Sequence, residues 1–188
     1  MGTHARERLL LAARDLFYKE GVRAVGIERL LDASGVGRAS FYRHFASKDE
    51  LVTAMLSEYD VDYRTWLKTR VDELGGEPLA VFDAAAEYSD RTDHRGCAFL
   101  NVLAESAEPE QLVQRAVVDH KRSMTDYLTG LLEGRRLSDT AALAAEWMML
   151  LDGASSAARY RRDVSSFQQA RRLAEAGLRR ESTSTVAR

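Results

Sequence analysis

Long hydrophobic runs, cysteine and proline are all scarce in this sequence, and each shortage excludes a class of protein. No stretch of about 18 consecutive apolar residues occurs, so no membrane-spanning helix is predicted. The polar residues 1–8 lead into an amphipathic segment, which is not the pattern of a signal peptide. Cys97 is the only cysteine, which excludes a disulfide within the chain and predicts a location in the reducing cytoplasm.

What the sequence does contain favours helices. Hydrophobic residues make up 45% of its 188 residues, enough for a packed core, and only two prolines occur. Alanine, leucine, arginine and glutamate, which are good helix formers, dominate the rest. No segment shows the sustained alternation of apolar and polar residues that a strand requires. The sequence therefore predicts an all-α fold.

The net charge of −2 hides an uneven distribution along the chain. Residues 1–48 contain nine lysines and arginines against five acidic residues, whereas residues 49–188 contain eighteen against twenty-four. A basic end on an acidic body is expected when only that end meets nucleic-acid phosphates.

The basic end contains a pattern typical of a helix-turn-helix. A short helix from residue 27 is followed by a sharp turn at Gly35, where glycine can adopt the positive φ that the turn needs. In the second helix, at residues 37–45, Phe41 and Phe45 lie four residues apart and point inward, which leaves the other side chains facing outward. From these residues alone, the alternative is an ordinary helical hairpin with a solvated basic face.

A capping box of Ser47 and Glu50 follows the second helix. The turn at Gly35, the aromatic pair Phe41 and Phe45 and this capping box together resemble the signature of the TetR family of transcription regulators (TetR/AcrR type). The resemblance covers roughly the first 55 residues and rests on the run GVGRASFYRHFASKDEL, residues 35–51. It implies a three-helix helix-turn-helix head at residues 1–47 and a ligand-binding and dimerisation domain at 48–180. The periodicity and capping patterns along the whole chain predict nine helices, and residues 181–188, rich in serine and threonine, are predicted to be a flexible tail. The family commonly has Thr where this chain has Gly26, which removes a cap and a phosphate contact, and Ser or Thr where it has Gly37.

The resemblance also implies which residues meet double-stranded DNA, in the form of a palindromic operator. Tyr42, His44 and Lys48 are expected to hold phosphates. The residues expected to contact base edges, where arginine can bind guanine bidentately, are Arg38, Ala39, Ser40 and Arg43. His44 could instead only cap its helix, and Arg43 could pair with an acid such as Asp49. The predicted DNA-binding residues are Gly37, Arg38, Ala39, Ser40, Tyr42, Arg43, His44 and Lys48.

Capping and terminating residues predict the helices around and beyond this motif. Gly21 ends the first helix, and a capping box of Ser47 and Glu50 opens a long helix that Gly75 and Gly76 end. The further helices are predicted at residues 78–92, 97–106, 109–133, 138–160 and 165–180, with Pro78 and Pro109 in first turns and Ser138 and Ser165 as caps.

Aromatic and methionine side chains recur at helical spacing in the larger domain. Most are expected to be core residues. In the TetR family, however, the corresponding helices enclose a ligand pocket, so the resemblance implies a site for an apolar or aromatic small molecule. His120 could orient a polar group of that ligand, and Asp152 could line the same site. The predicted ligand-binding residues are Tyr59, Tyr63, Trp66, Phe99, Asn101, Met124, Tyr127 and Trp147.

Small residues on the last two helices predict close helix packing, from Ala141 to Ala158 in particular. The resemblance makes this face the four-helix bundle of a homodimer. The alternative is that the same face packs within one chain.

These patterns predict a DNA-binding repressor that a small apolar or aromatic ligand releases from its operator. No catalytic residues, cofactor or metal site are predicted, because His94, His120 and Cys97 have no second ligand at metal-binding spacing. Two alternatives stay open: a regulator that senses oxidants or electrophiles through Cys97, and a small helical enzyme that uses the aromatic site. The lack of an acid–base pair or a cofactor motif disfavours the enzyme.

Overall fold

The computed structural model describes residues 2–105 and 111–186, with side chains described from 4 to 105 and from 111 to 181. Within these residues the chain forms nine α-helices and no strand, which confirms the predicted fold class. The helices are α1 (Gly2–Glu20), α2 (Ile27–Ser34), α3 (Arg38–His44), α4 (Lys48–Glu73), α5 (Ala80–Arg91), α6 (Ala98–Glu105), α7 (Gln111–Leu132), α8 (Thr140–Arg161) and α9 (Ser165–Val186).

The helices pack as two compact units. Unit 1 comprises Met1–Val61 and Ala98–Val118, and unit 2 comprises Asp62–Cys97 and Asp119–Arg188. Unit 1 is therefore larger than the head predicted at residues 1–47, because the first part of α4 and all of α6 pack within it. One contact of α6 shows this: a carboxylate oxygen of Glu105 accepts a hydrogen bond from the backbone N–H of Arg23 at 3.0 Å.

Unit 1 is built on the apolar face of α1. Leu9, Ala13, Leu16 and Phe17 recur at helical spacing, and all four are buried. Gly21 ends this helix with a φ of +87°, a conformation that favours glycine. Helices α2, α3 and α4 complete the core of unit 1 with side chains that have no exposed surface. These are Leu30, Phe41, Leu51, Val52 and Leu56.

The core of unit 2 combines large aromatic residues with small ones. Phe82 and Trp147 are fully buried and meet edge to face, with ring centroids 5.4 Å apart. Gly177 of α9 lies so close to Leu143 of α8 that a Cβ at this position would come within 3.3 Å of the leucine side chain. Alanines that allow this close helix packing are Ala80, Ala84, Ala85, Ala144, Ala154, Ala158, Ala170 and Ala174.

Several helix ends differ from the sequence-based prediction. The cap of α8 is Asp139, whose carboxylate accepts a hydrogen bond from Ala142 N–H at 2.9 Å, so the assignment of Ser138 was wrong. Helix α5 starts at Ala80, after Pro78 rather than around it, and α9 continues to Val186 instead of ending at residue 180. Gly75 and Gly76 follow α4 with positive φ, as predicted. The predicted first turn at Pro109 lies outside the described residues.

Candidate nucleic-acid interface and small-molecule site

The turn between α2 and α3 has the geometry that its sequence predicts. Gly35 adopts a left-handed conformation with φ +60° and ψ 30°, and its N–H donates to the carbonyl of Leu31. Val36 is buried beside the turn. Gly26 and Gly37 occupy the N-cap positions of α2 and α3 in extended conformations, and neither helix has a side-chain cap. Both helices therefore start with backbone N–H groups that no side chain satisfies.

Helix α3 turns one face into unit 1 and the other outward. Phe41 has no exposed surface, and its ring packs 6.0 Å from that of the buried Phe45, as the four-residue spacing predicts. The helix contains no acidic residue in its first turn and ends in Arg43 and His44. The predicted DNA-binding residues of α3 and its N-cap lie on this outer side. The exposed ones are Gly37, Arg38, Ala39, Tyr42 and Arg43, and the half-buried ones are Ser40 and His44.

The two arginines of this face differ in their partners. Arg38 forms an exposed ion pair with Glu28 of α2. Arg43 forms no ion pair with any residue in the described part of the chain, and the alternative pairing with Asp49 is not made. Glu28 was missed at the level of sequence because its proximity to Arg38 depends on how α2 and α3 cross. Arg43 could therefore contact an anionic partner without first breaking an ion pair, whereas Arg38 could not.

Lys48, the first residue of α4, has a structural role that the sequence did not predict. Its ammonium donates to the carbonyl oxygens of Val22 and Val25, at 2.8 Å and 2.9 Å. These bonds connect the start of α4 to the loop before α2. An ammonium has three N–H donors, so one is left after both carbonyls are satisfied. Contact of Lys48 with a phosphate stays a prediction.

The capping box before α4 forms in part as predicted. The hydroxyl of Ser47 accepts a hydrogen bond from Glu50 N–H at 3.1 Å. The carboxylate of Glu50 accepts from the N–H of Ala46, at 2.5 Å, rather than from that of Ser47. The helix start that follows the α3 face is consequently held by two side-chain contacts.

The predicted ligand-binding residues divide between the two units. In unit 1, Tyr59 of α4 and Phe99 of α6 have ring centroids 6.2 Å apart, and the guanidinium of Arg14 lies 5.9 Å from the Tyr59 ring. Asn101 is half-buried on the same short helix as Phe99. The other five predicted residues belong to unit 2 and are Tyr63, Trp66, Met124, Tyr127 and Trp147.

Within unit 2, two aromatic rings lie close to Tyr88, a residue that was not among the predicted set. Its ring centroid lies 4.7 Å from that of Tyr63 and 5.0 Å from that of Trp66. The ring of the buried His120 also lies near that of Tyr63, with ring centroids 6.4 Å apart. Burial, with nearby Cys97, Tyr88, Asp152 and Tyr127, raises the pKa of Tyr63 well above its usual range. Tyr63 is therefore a neutral phenol at physiological pH.

Two buried polar atoms of unit 2 have no hydrogen-bond partner among the described residues. They are the phenolic oxygen of Tyr127 and the indole Nε1 of Trp147. Burial, with Asp72 as a second cause, raises the pKa of Tyr127 to about 12, so its hydroxyl keeps its proton. Met124 is almost fully buried and belongs to the apolar cluster beside them.

Cys97 lies beside a lysine in unit 2. The ammonium of Lys121 approaches the sulfur to 3.6 Å and also pairs with the carboxylate of Asp152. Asp152 was expected to line a ligand site, and its observed partner is this lysine. Redox sensing through Cys97 stays a prediction, and similarity to known proteins does not support it. No group of three His, Cys, Asp or Glu side chains within residues 2–105 and 111–186 is placed to hold a metal ion.

Known proteins share this sequence pattern and fold. Residues 9–55 match the family model described as bacterial regulatory proteins of the tetR family. A crystallised TetR-family transcriptional regulator from Streptomyces coelicolor is 32% identical to this chain, with a TM-score of 0.79 over 96% of this chain and 97% of that one. The transcriptional regulator TtgR of Pseudomonas putida is 26% identical over 78% of this chain and 81% of its own length. The match to the regulator YerO of Bacillus subtilis, at 25% identity, spans 61% of this chain and only 42% of that protein. No helix in the described residues is long and apolar enough to cross a membrane.

Proposed function

This chain belongs to the TetR family of transcription regulators, and from that premise we propose that it is a dimeric repressor that a small molecule releases from a palindromic operator. The outer face of α3 carries the proposal: it is exposed, free of acidic residues and contains Arg43, which forms no ion pair with any described residue. A short helix with such a face fits the major groove of DNA.

The roles of individual residues in DNA binding follow from their positions. Arg43 is proposed to contact a base edge or a nearby phosphate directly. Arg38 is proposed to make the same kind of contact once its ion pair with Glu28 has broken. Tyr42 and His44 are proposed to hold phosphates. Gly37 and Ala39 present little side-chain volume at the start of the helix, so backbone N–H groups there can approach phosphate oxygens.

Dimerisation is proposed through the outer faces of α8 and α9. The small residues of α8 divide into two sets: Ala144, Ala154 and Ala158 are buried within the chain, while Ala141, Ala142, Ala145 and Gly153 are exposed. Met149 of α8 and Leu173 of α9 are also exposed, at 68% and 61%. Apolar side chains with this exposure on neighbouring helices suit a contact with a second copy of the chain.

Ligand control is proposed to act through unit 2. Helix α4 belongs to unit 1 as far as Val61 and to unit 2 from Asp62, so one continuous helix joins the DNA-binding unit to the aromatic residues. A ligand that prefers the DNA-free arrangement lowers DNA affinity by the same factor by which DNA lowers ligand affinity. A 100-fold loss of affinity requires about 2.7 kcal/mol of that preference.

The experiment that tests the proposal is selection of DNA from a random library by the purified full chain, with sedimentation in parallel. We expect a sequence with two inverted half-sites about one helical turn apart, and a homodimer at micromolar concentration. Met149→Lys together with Leu173→Lys should yield monomers that bind the selected DNA weakly. A stable parent monomer that binds DNA tightly, or a selected sequence without symmetry, would contradict the proposal.

A further inference from the structure

The unpaired positive charge of residues 1–48 lies on a few exposed arginines. The basic residues of this segment that form ion pairs with acidic residues are Arg6, Lys19, Arg29 and Arg38. Lys48 donates to two backbone carbonyls, and the guanidinium of Arg14 lies against the Tyr59 ring. The exposed ones that form no ion pair with any described residue are Arg8, Arg23 and Arg43. These three are therefore the unpaired cations that residues 1–48 offer to an anionic partner.

Arg8 reaches from α1 to the turn of the helix-turn-helix. Its Nη1 lies 3.6 Å from the point that a Cβ on Gly35 would occupy, and Gly35 is itself exposed. The guanidinium therefore lies at the surface of the turn. Two residues earlier on α1, the guanidinium of Arg6 lies 5.7 Å from the ring centroid of Phe45, the C-cap of α3. The first turns of α1 thus run alongside α3, with Arg8 beside the turn that precedes this helix.

Within unit 1, Arg8 has little to bind. Gly35 is the C-cap of α2, and the partial negative charge at an exposed helix end attracts a guanidinium only weakly. An arginine side chain has five N–H donors, and none of those of Arg8 is bonded to a described residue. A carboxylate oxygen of Glu7 lies 3.7 Å from Nδ1 of His4, and Asp32 of α2 forms no ion pair with Arg8. The fold therefore holds a strong hydrogen-bond donor at the surface and leaves it available.

The place of Arg8 in the motif favours contact with phosphate over contact with bases. In a helix-turn-helix, the second helix enters the major groove and the first crosses the DNA backbone. Arg8 lies where the first helix, α2, ends, so it is beside the backbone rather than over the base edges that α3 faces. A guanidinium also matches two oxygens of a phosphate with parallel hydrogen bonds.

We propose that Arg8 is a further DNA-binding residue, which extends from α1 past the turn and binds a phosphate of the strand that α2 crosses. This inference rests on the proposed function, because it requires that α3 is the helix in the major groove. Arg8 adds affinity for any sequence and takes no part in base selection. The DNA-binding surface of unit 1 then extends beyond the helix-turn-helix to α1.

The first test compares two arginines that are alike in exposure and differ in position. Arg8→Gln removes the charge and keeps most of the length of the side chain. Arg23→Gln is the matched control, because Arg23 is also exposed and forms no ion pair with a described residue. Arg23 lies beyond the other end of α1, which is roughly 18 Å along the helix from Arg8. Its backbone N–H donates to Glu105 of α6. Both variants lose the same charge from unit 1.

Operator affinity measured over a range of salt concentrations separates these two positions. Each lost phosphate contact lowers the slope of log affinity against log salt by about 0.9, so Arg8→Gln should lower it by about 1.8 in a dimer. With affinities that converge near about 1 M salt, this difference gives an about tenfold weaker complex at about 0.3 M. Arg23→Gln should change the slope much less. Arg8→Lys keeps the charge and should retain the slope, while affinity falls only a few-fold with the loss of the second hydrogen bond.

Operators with one neutral phosphate locate the contact. A methylphosphonate replaces a single backbone phosphate at the same position in both half-sites, and that position is moved along the strand. We expect at least one position at which the parent loses affinity about tenfold and Arg8→Gln loses little, because its contact is already absent. At the other positions both proteins should respond alike. Identical profiles for the parent and Arg8→Gln would overturn the inference.

Three further results would contradict it. Equal losses in Arg8→Gln and Arg23→Gln would show that net charge matters and position does not. A changed preference among operators with single base changes would assign Arg8 to base reading. In urea, Arg8→Gln should change the folding equilibrium less than about fivefold, as expected for a charge near an exposed helix end. A larger loss would show that Arg8 stabilises the turn instead.

The parent chain separates failure of this inference from failure of the proposed function. A parent that binds the selected operator, with Arg8→Gln equal to Arg23→Gln, contradicts the role of Arg8 and leaves the proposed DNA-binding function standing. A parent that binds no DNA with two inverted half-sites contradicts both.

Discussion

Unit 1 and unit 2 differ in where they carry polar groups that have no partner among the described residues. In unit 1 the guanidinium of Arg43 is exposed on α3, where water solvates it at no cost to folding. In unit 2 the Nε1 of Trp147 and the hydroxyl of Tyr127 are buried, where each unmade hydrogen bond costs about 1–3 kcal/mol. An outward, preformed charged face suits a large anionic partner, and inward donors suit a partner small enough to be enclosed.

Among substitutions in unit 1, loss of Arg43 should lower operator affinity the most. We expect Arg43→Ala to lower affinity for the selected operator at least about 30-fold, because a dimer loses one contact in each half-site and each is worth about 1–3 kcal/mol. Fluorescence anisotropy with labelled DNA measures the change. Lys68→Ala is the matched control, since Lys68 is exposed on α4 in unit 2 and the charge change is the same. Equal affinities of the two variants would remove Arg43 from the interface.

Substitution of Lys48 tests whether this basic residue stabilises the fold, in contrast to Arg43, which is proposed to contact DNA. Lys48→Met leaves the carbonyls of Val22 and Val25 without their donor, so we expect the free energy of unfolding to fall by about 2 kcal/mol. Urea unfolding measures this, with Lys68→Met as the control. A phosphate contact through the third N–H would also lower the salt slope of DNA binding by about one unit per half-site. An unchanged unfolding free energy would show that the carbonyl contacts do not stabilise the head.

Two glycines of the turn, separated by one residue, should respond in opposite directions. Gly35→Ala places a side chain at φ +60° and should cost about 1–2 kcal/mol of stability. Gly37→Ser should stabilise by about 0.5–1 kcal/mol, because its backbone already has the extended N-cap conformation and a Cβ there meets nothing within 4 Å. Unfolding midpoints in urea compare the two variants. Changes of the same sign would contradict the turn geometry.

Release of Arg38 from Glu28 should give the smallest effect. Glu28→Gln removes a negative charge from the DNA-facing side and frees Arg38, so we expect operator affinity to rise roughly two- to fivefold. Stability should not change, since an exposed ion pair contributes little. Glu20→Gln is the control because Glu20 forms a comparable exposed pair with Arg29. A loss of operator affinity in Glu28→Gln would mean that the ion pair holds Arg38 in place for DNA.

Local features of the fold could be predicted from the sequence, and long-range contacts could not. The αL turn at Gly35 and the inward pair Phe41 and Phe45 depend on conformations and spacings within a few residues. Lys48 finds its carbonyl partners 23 and 26 residues earlier in the chain, a contact that appears only when α1, α2 and α4 have packed. No local pattern contains that information.

The aromatic residues of unit 2 could be predicted from the sequence by residue type, but their hydrogen bonding could not. Aromatic spacing pointed to Tyr127 and Trp147, but whether their polar atoms find partners depends on three or more helices at once. The cap of α8 shows the same limit at short range. Ser138 and Asp139 are both good caps, and the position at which the helix starts decides between them.

Amide hydrogen exchange on the full chain, with selected operator or with an aromatic small molecule that lowers operator affinity, tests the contrast between the units most directly. We predict that DNA slows exchange in residues 38–45 of unit 1, and that the small molecule slows it in residues 124–151 of unit 2 without protecting residues 38–45. Protection of residues 124–151 by DNA, with exchange in residues 38–45 unchanged, would contradict it.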